Sequence, residues 1–196
     1  MDEKELTLDA LLQRIQSDDP DVRTEAWLAA GKVGPSALQP LSKIVADGEL
    51  EVSRAAKRAM WKIVRTVGAP GQDDGKAAAE TELIGLLAEG TPDPVRCEVL
   101  WMLSEIGGEK TIDAIREIPD ILENKAIRED ARCCVERIPG QYAVDALAEG
   151  LEASEDELQL ALAQSLRARG VEVDREKYPC QKLVPTKQTS VQPVSP

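Results

Sequence analysis

An internal repeat constrains this chain more than any other feature of its sequence. Five stretches share an acidic or proline-containing turn, an aliphatic residue usually followed by arginine, an alanine-rich segment and a closing glycine. The closing glycines, spaced 34, 39, 33 and 30 residues apart, are Gly34, Gly68, Gly107, Gly140 and Gly170. A unit of this length has room for two helices and two short connections. Each unit is therefore predicted to be a helical hairpin.

A second, more aliphatic helix is predicted in front of each alanine-rich one. Its apolar residues recur at three- and four-residue spacing, which is typical of one buried helix face. Clear examples are Leu8, Leu11, Leu12 and Ile15; Leu38, Leu41, Ile44 and Val45; and Ile112, Ile115, Ile118 and Ile121. Strand signals are nearly absent. Because one hairpin cannot bury its apolar face alone, the predicted fold class is all-α, a right-handed curved α-solenoid of about five hairpins.

The predicted repeat domain covers residues 1–170, with units at about 6–34, 35–68, 80–108, 109–140 and 141–170. The widest gap between glycines is explained by an inserted surface loop at 69–79, with the sequence APGQDDGKAAA. Pro40 and Pro119 fall inside the first helices of two units, and we expect each proline to kink its helix.

Residues 171–196 change composition abruptly, with four prolines and no helical periodicity. This pattern predicts a disordered C-terminal tail whose removal leaves the stability of the repeat domain unchanged. The tail carries a charge of +1 and the remainder of the chain −13.

The pattern Asp-Pro-x-Val-Arg-x-x-Ala, closed by Gly-x-Val-Gly or Glu-Ile-Gly, resembles the short HEAT-type repeat of phycobilisome-lyase-like HEAT proteins. The resemblance covers roughly residues 6–170 and implies that the hairpins are HEAT-like. Proteins of this type include bilin lyase subunits, scaffolds, an iron-dependent hydroxylase and a group of DNA glycosylases. The hydroxylase would need His-Glu metal motifs, and the glycosylase would need a basic concave face.

Composition excludes many functions. Asp and Glu number 36 against 24 Lys and Arg, which gives a formal net charge of −12 and disfavours nucleic-acid and membrane-surface partners. The chain contains no histidine, so catalytic triads, Cys-His nucleophiles and His-liganded metal sites are excluded. We therefore expect a protein that is not an enzyme and needs no cofactor or metal.

The acidic start MDEKELTLDALL lacks the features of a signal peptide, and no apolar run is long enough to span a membrane. A cytoplasmic location is predicted. The cysteines at 97, 133, 134 and 180 form no CxxC pair, and reduced thiols are expected.

The second helices are predicted to present one side to a concave surface. Counted from the aliphatic residue that begins each helix, positions seven and ten lie opposite the core. These positions hold Leu28 and Gly31, Arg58 and Trp61, Trp101 and Ser104, Cys133 and Glu136, and Gln164 and Arg167. Trp27 falls beside the core in this register.

Trp and Arg dominate the binding energy of many protein interfaces. The predicted partner-binding residues are accordingly Arg58, Trp61, Arg65, Trp101, Ser104 and Glu136. An alternative stays open, in which the tryptophans pack between units and are part of the core.

Arginine recurs in the first turn of the second helices, where the helix dipole disfavours it. These residues are Arg23, Arg54, Arg96 and Arg128. We expect a structural ladder in which each arginine meets an acidic side chain or a turn carbonyl of the next unit. Candidate acids are Asp19, Asp21, Glu51, Asp93 and Asp130.

Two functions remain. The first is a non-enzymatic scaffold that binds a basic segment of another protein on its concave face. The second, implied by the resemblance alone, is a bilin lyase or chromophore-handling subunit, which would be expected to carry more aromatic and fewer acidic residues.

Overall fold

A computed structural model describes residues 6–118, 123–155 and 157–180, and every regular element among them is helical. The ten α-helices in these ranges are α1 Leu8–Ile15, α2 Pro20–Ala29, α3 Leu38–Asp47, α4 Leu50–Val67, α5 Asp73–Gly85, α6 Asp93–Ile106, α7 Glu109–Glu117, α8 Arg128–Arg137, α9 Gln141–Ala153 and α10 Glu157–Ala168. Short 3₁₀ turns occupy Ala30–Lys32 and Pro35–Ala37. The all-α prediction is confirmed. None of the described helices combines the length and apolarity that a bilayer crossing requires.

Neighbouring helices pack in a regular order. Helix α1 packs on α2, α3 on α4, α5 on α6, and α9 on α10. Among the second helices, α2 contacts α4, α4 contacts α6, α6 contacts α8, and α8 contacts α10. Among the first helices, α3 contacts α5, α5 contacts α7, and α7 contacts α9. One continuous apolar cluster results, running from Leu11 to Tyr178.

The local signals that begin and end the helices follow from the sequence. Asp19 caps α2 by accepting a hydrogen bond from the Asp21 amide at 2.8 Å, and Pro20 occupies the first helical position. Gly34 and Gly140, two of the closing glycines, have φ angles of 85° and 113°, which favour glycine. These turns redirect the chain into the next hairpin.

The predicted inserted loop at 69–79 is wrong for residues 73–79. Helix α5 begins at Asp73, and Ala79 is fully buried within it. Alanine is the strongest helix former, and acidic residues are favourable in a first turn, so the run DDGKAAA extends the helix. The connection between α4 and α5 is reduced to residues 68–72.

Pro40 does not lie in mid-helix, because α3 begins only at Leu38. In the first turn the missing amide of proline costs no intrahelical hydrogen bond, and the expectation of a kink there is wrong. Pro119 lies outside the described residues.

Arginine partners come from closer in sequence than expected. Arg23 donates to the carbonyls of Ser17 and Asp18 at 2.6 and 2.9 Å, and Arg54 pairs with Glu51 at 2.6 Å. Turn carbonyls and the candidate acid Glu51 are thus partners as predicted. All three partners lie in the arginine's own unit, however, so the ladder to the next unit is wrong for these two residues. For an arginine in the first helical turn, the nearest acceptors are the carbonyls of the preceding turn and the carboxylate three residues back.

A buried carboxylate joins the third hairpin to the fourth. Glu80 of α5 accepts hydrogen bonds from the Gly108 amide and the Thr111 hydroxyl, both at 2.7 Å, at the start of α7. A negative charge at a helix N-terminus is also favoured by the helix dipole. Glu80 therefore caps a helix of the neighbouring hairpin.

The tail prediction is wrong for its first ten residues. Tyr178 is only 8% exposed, and Val171 and Val173 pack against the core. Arg167 of α10 donates to the carbonyls of Tyr178 and Asp174, which holds the segment against the last helix. One buried tyrosine leaves no periodic signal in the sequence, which is why the contact was not predicted. Residues 181–196 lie outside the described residues.

We predict that Tyr178→Ala destabilises the full chain by about 2 kcal/mol, because a buried aromatic side chain is removed. For a chain of this size the melting temperature should fall by roughly 4–8 °C in a thermal scan followed by circular dichroism. Arg175→Ala, at an exposed position of the same segment, is the control and should leave the melt unchanged. Equal melting temperatures for both variants would show that the segment contributes no packing energy.

Candidate functional site

Three tryptophans, on α2, α4 and α6, are each in contact with a neighbouring hairpin. The indole Nε1 of Trp61 donates to Glu98 on α6 at 2.5 Å, and that of Trp101 donates to Asp130 at 2.8 Å, just inside α8. Toward the preceding hairpin, the guanidinium of Arg58 lies over the ring of Trp27 at 5.9 Å. We call Trp27, Trp61, Trp101 and the side chains that touch their rings or indole nitrogens the tryptophan row.

The two carboxylates of the row occupy equivalent positions. Glu98 lies three residues after Val95, and Asp130 lies three residues after Ile127. The equivalent residue in α4 is Ala55, which has no acceptor to offer. Trp27 Nε1 is buried and has no hydrogen-bond partner among the described residues.

Arginines cover the faces of the other two indoles. Arg65 lies over Trp61 at 4.9 Å from the same helix, and Arg137 of α8 lies over Trp101 at 5.9 Å. Such cation–π contacts contribute about 0.5–1 kcal/mol at exposed sites. Each tryptophan is thus held by its ring face, and two of the three also by the indole nitrogen.

The exposure of the predicted binding residues varies. Arg58 and Arg65 are exposed, and Trp101 is 39% exposed. Trp61 is half-buried and packs against the core cluster. The sequence left open whether the tryptophans are exposed or packed between units. Both occur along the row, since Trp101 is partly exposed and Trp61 packs against the core.

Ser104 does not face a surface, and its predicted role is wrong in this respect. It is 7% exposed, and its hydroxyl donates to the Trp101 carbonyl at 2.7 Å. Helix α6 contacts α4, α5 and α8, so its sides are nearly all covered. Gly31, assigned to the same surface, approaches α4 so closely that a Cβ there would collide with the side chain of Thr66.

Glu136 belongs to a polar network between α8 and α10. Its carboxylate accepts from Arg132 at 2.9 Å and from the Ser165 hydroxyl at 2.6 Å. Arg169 crosses the same boundary and donates to the carbonyls of Glu136 and Ile138 at the end of α8. The recurring arginine pattern did not include Arg169, although it does bind carbonyls of a neighbouring unit.

An open cleft of about 450 Å³ lies beside this network. It is lined by Glu129, Arg132, Glu157, Leu160, Ala161, Gln164, Arg167 and Cys180. Gln164 and Arg167 were assigned to the concave surface from their helical positions. The cleft extends the series of surface side chains beyond the tryptophan row.

The cysteines differ in exposure. Cys180 is exposed, Cys134 is buried, and Cys97 and Cys133 are half-buried. Burial raises the pKa of the Cys97 thiol to about 12, and the nearby Asp130 carboxylate adds to the shift. Burial likewise raises the pKa of Cys134 to about 12 and raises that of Cys133. In the described ranges no three His, Cys, Asp or Glu side chains are grouped so as to hold a metal ion.

No protein-family model matches the chain, and no curated protein is detectably similar to it. Among solved structures, it is similar to an engineered protein whose crystal structure was determined by the Northeast Structural Genomics Consortium. The two are 21% identical with a TM-score of 0.43, over 81% of this chain and 77% of the other.

Trp61→Ala and Trp101→Ala should affect stability unequally. Trp61 packs against the core, so we expect its truncation to lower the free energy of unfolding by about 3 kcal/mol. Trp101 is partly solvated, so we expect its truncation to lower the free energy of unfolding by only about 1 kcal/mol. Urea denaturation followed by circular dichroism at 222 nm measures both without relying on tryptophan fluorescence. A larger loss for Trp101→Ala would contradict the packing described above.

Thiol alkylation should follow exposure and pKa. A thiol with a pKa near 12 is ionised in only about 1 molecule in 10,000 at pH 8, and the thiolate is the reactive form. We therefore expect iodoacetamide at pH 8 to modify Cys180 while Cys97 and Cys134 stay unmodified. Peptide mass spectrometry locates the labels, and rapid labelling of Cys97 would contradict the assigned burial.

Proposed function

We propose that this protein is a non-enzymatic interaction module, in which five HEAT-like hairpins form a curved solenoid and the second helices provide its concave binding face. The observation that carries the proposal is the tryptophan row, where indoles from three successive hairpins each contact a neighbouring hairpin and Trp101 keeps part of its ring in solvent. A partner segment lies along the row and crosses several hairpins.

The fixed geometry of the row supports binding rather than packing alone. Trp61 and Trp101 are each held by a hydrogen bond and by an arginine on the ring face. Side chains that are already ordered lose little entropy when a partner binds, so a larger share of the contact energy remains as affinity. Trp and Arg are also the residue types enriched at binding hot spots.

Charge supports a basic segment in the partner. The whole chain carries −12, and the carboxylate of Asp130 lies at the row, where it accepts from Trp101. Association with a basic segment should weaken as salt screens this attraction. The chromophore-handling alternative stays a prediction from resemblance, and no contact described above favours it.

Peptides selected from a display library on the wild-type protein test this function. We expect Trp101→Ala to weaken their binding at least about tenfold, the loss typical of an interface hot spot. The matched control is Leu50→Ala, which removes an apolar side chain that is 63% exposed in the first turn of α4. Its affinities should stay within about twofold of the wild type.

Fluorescence anisotropy with labelled peptides gives the dissociation constants, and circular dichroism confirms that both variants fold. If Trp101→Ala and Leu50→Ala bind the selected peptides equally well, the tryptophan row is not the binding face. If selected peptides bind with the same affinity at high and low salt, the electrostatic part of the proposal is wrong.

A further inference from the structure

Helix α4 differs from the rest of this acidic chain in its charge. It contains five basic residues and one acidic residue, Glu51, which gives the helix a net charge of +4. The basic residues are Arg54, Lys57, Arg58, Lys62 and Arg65. Each of the other nine described helices is neutral or negative. A positive surface is therefore concentrated on one helix of the tryptophan row.

Two of these basic residues are neutralised within the chain. Arg54 pairs with Glu51 at 2.6 Å, and Lys57 pairs with Glu98 at 3.2 Å. Arg58 and Arg65 are exposed, and among the described residues no carboxylate pairs with either of them. They differ in this respect from Arg116 and Arg132, which have carboxylate partners on the surface.

Both unpaired arginines are instead positioned by aromatic rings. Arg58 lies over Trp27 at 5.9 Å, and Arg65 lies over Trp61 at 4.9 Å. A guanidinium that stacks on a ring keeps the N–H groups of its edge available for a planar, bidentate carboxylate. The two side chains are thus oriented in advance for an anion.

The spacing of the two arginines defines what they can bind together. They are seven residues apart, which is two helical turns, so they lie on nearly the same side of α4 and about 10 Å apart along its axis. Two carboxylates three residues apart on a peptide in the polyproline II conformation lie on the same side of the chain and about 9 Å apart, which is close to this spacing.

We propose that this part of the row binds an acidic peptide segment, whose carboxylates pair with Arg58 and Arg65. The inference rests on the proposed function and specifies the charge of the partner at one end of the face. A partner that follows the whole row therefore presents acidic residues to α4 and basic residues to Asp130 at the start of α8. Its charge pattern fixes the direction in which it lies.

Trp27 provides an independent sign that an acceptor is missing at this end of the row. Trp61 and Trp101 donate their indole N–H groups to carboxylates, whereas the N–H of Trp27 has no acceptor among the described residues. Arg58 covers its ring. A carboxylate bound to the edge of the stacked Arg58 would lie beside the Trp27 ring and would change the electrostatic environment of its N–H.

A short acidic segment fits this surface better than a nucleic acid. Helices α2, α5 and α6, which contact α4, carry net charges of −1, −3 and −2. A long polyanion that extended beyond α4 would therefore be repelled by these helices. Helix α4 spans about 27 Å, which is enough for a peptide of several residues. The positive surface is therefore confined to α4 and is short enough to favour a peptide.

The test uses the full chain and a fluorescein-labelled peptide with two glutamates three residues apart in a flexible, otherwise neutral sequence. The same peptide with glutamine at both positions is the first control. A single-stranded oligonucleotide of matched length is the second. We expect the glutamate peptide alone to bind, with an affinity that falls as salt increases.

Charge reversal locates the site. We expect Arg58→Glu with Arg65→Glu to weaken binding at least tenfold, and the milder Arg58→Gln with Arg65→Gln to weaken it in the same direction. Lys43→Glu with Lys110→Glu makes the same change in net charge at exposed positions of α3 and α7, and should have much less effect. In wild type, the indole N–H signal of Trp27 should move on peptide addition in ¹H–¹⁵N spectra.

The inference is overturned by four results: the glutamate peptide does not bind, its glutamine counterpart binds as well, the oligonucleotide binds more tightly, or both charge reversals have equal effects. Trp101→Ala separates this failure from failure of the proposed function. If Trp101→Ala abolishes binding of display-selected peptides while the α4 variants have no effect, only the acidic-segment inference fails. If neither change affects binding, the proposed function fails as well.

Discussion

Each helical hairpin of this chain leaves an apolar side that its own two helices cannot cover, and the neighbouring hairpin covers it. Helix α6 shows the result most clearly, because it lies against α4, α5 and α8 and buries residues from Val95 to Ile106 on nearly all its sides. The polar contacts depend on this arrangement. Trp61 reaches Glu98, and Trp101 reaches Asp130, only because successive second helices are pressed together.

The same packing fixes the side chains of the tryptophan row. The indole N–H groups of Trp61 and Trp101 lie in partly dehydrated places between hairpins, and a carboxylate of the next second helix accepts from each. Once fixed, the ring offers a rigid support on which an arginine can stack. The proposed binding role is compatible with the structural one, since the tryptophans that contact neighbouring hairpins also orient Arg58, Arg65 and Arg137.

The sequence predicted the helices well because the apolar spacing and the closing glycines are repeated signals. The sequence-based prediction failed where the local structure depends on a single tertiary contact. Residues 73–79 carry glycine and aspartates typical of a loop, yet Ala79 is buried and the segment is helical. Tyr178 docks without any periodic pattern around it, and Ser104 is covered because α6 has neighbours on several sides. The acceptors of the indole N–H groups were missed, although the shared register of Glu98 and Asp130 was a signal that could have identified them.

The hydrogen bonds of the buried Glu80 influence how the molecule unfolds. Where neighbouring helix pairs pack on one another, each pair is stabilised in part by the next, and local unfolding begins at the junction with the weakest coupling. Glu80 on α5 holds the first turn of α7 through both a backbone amide and a hydroxyl, in a buried position near the middle of the chain. Separating the third and fourth hairpins would strip a buried carboxylate of its donors, which is costly. We therefore expect the two halves of the protein to unfold in a single cooperative transition, with fraying confined to the terminal hairpins.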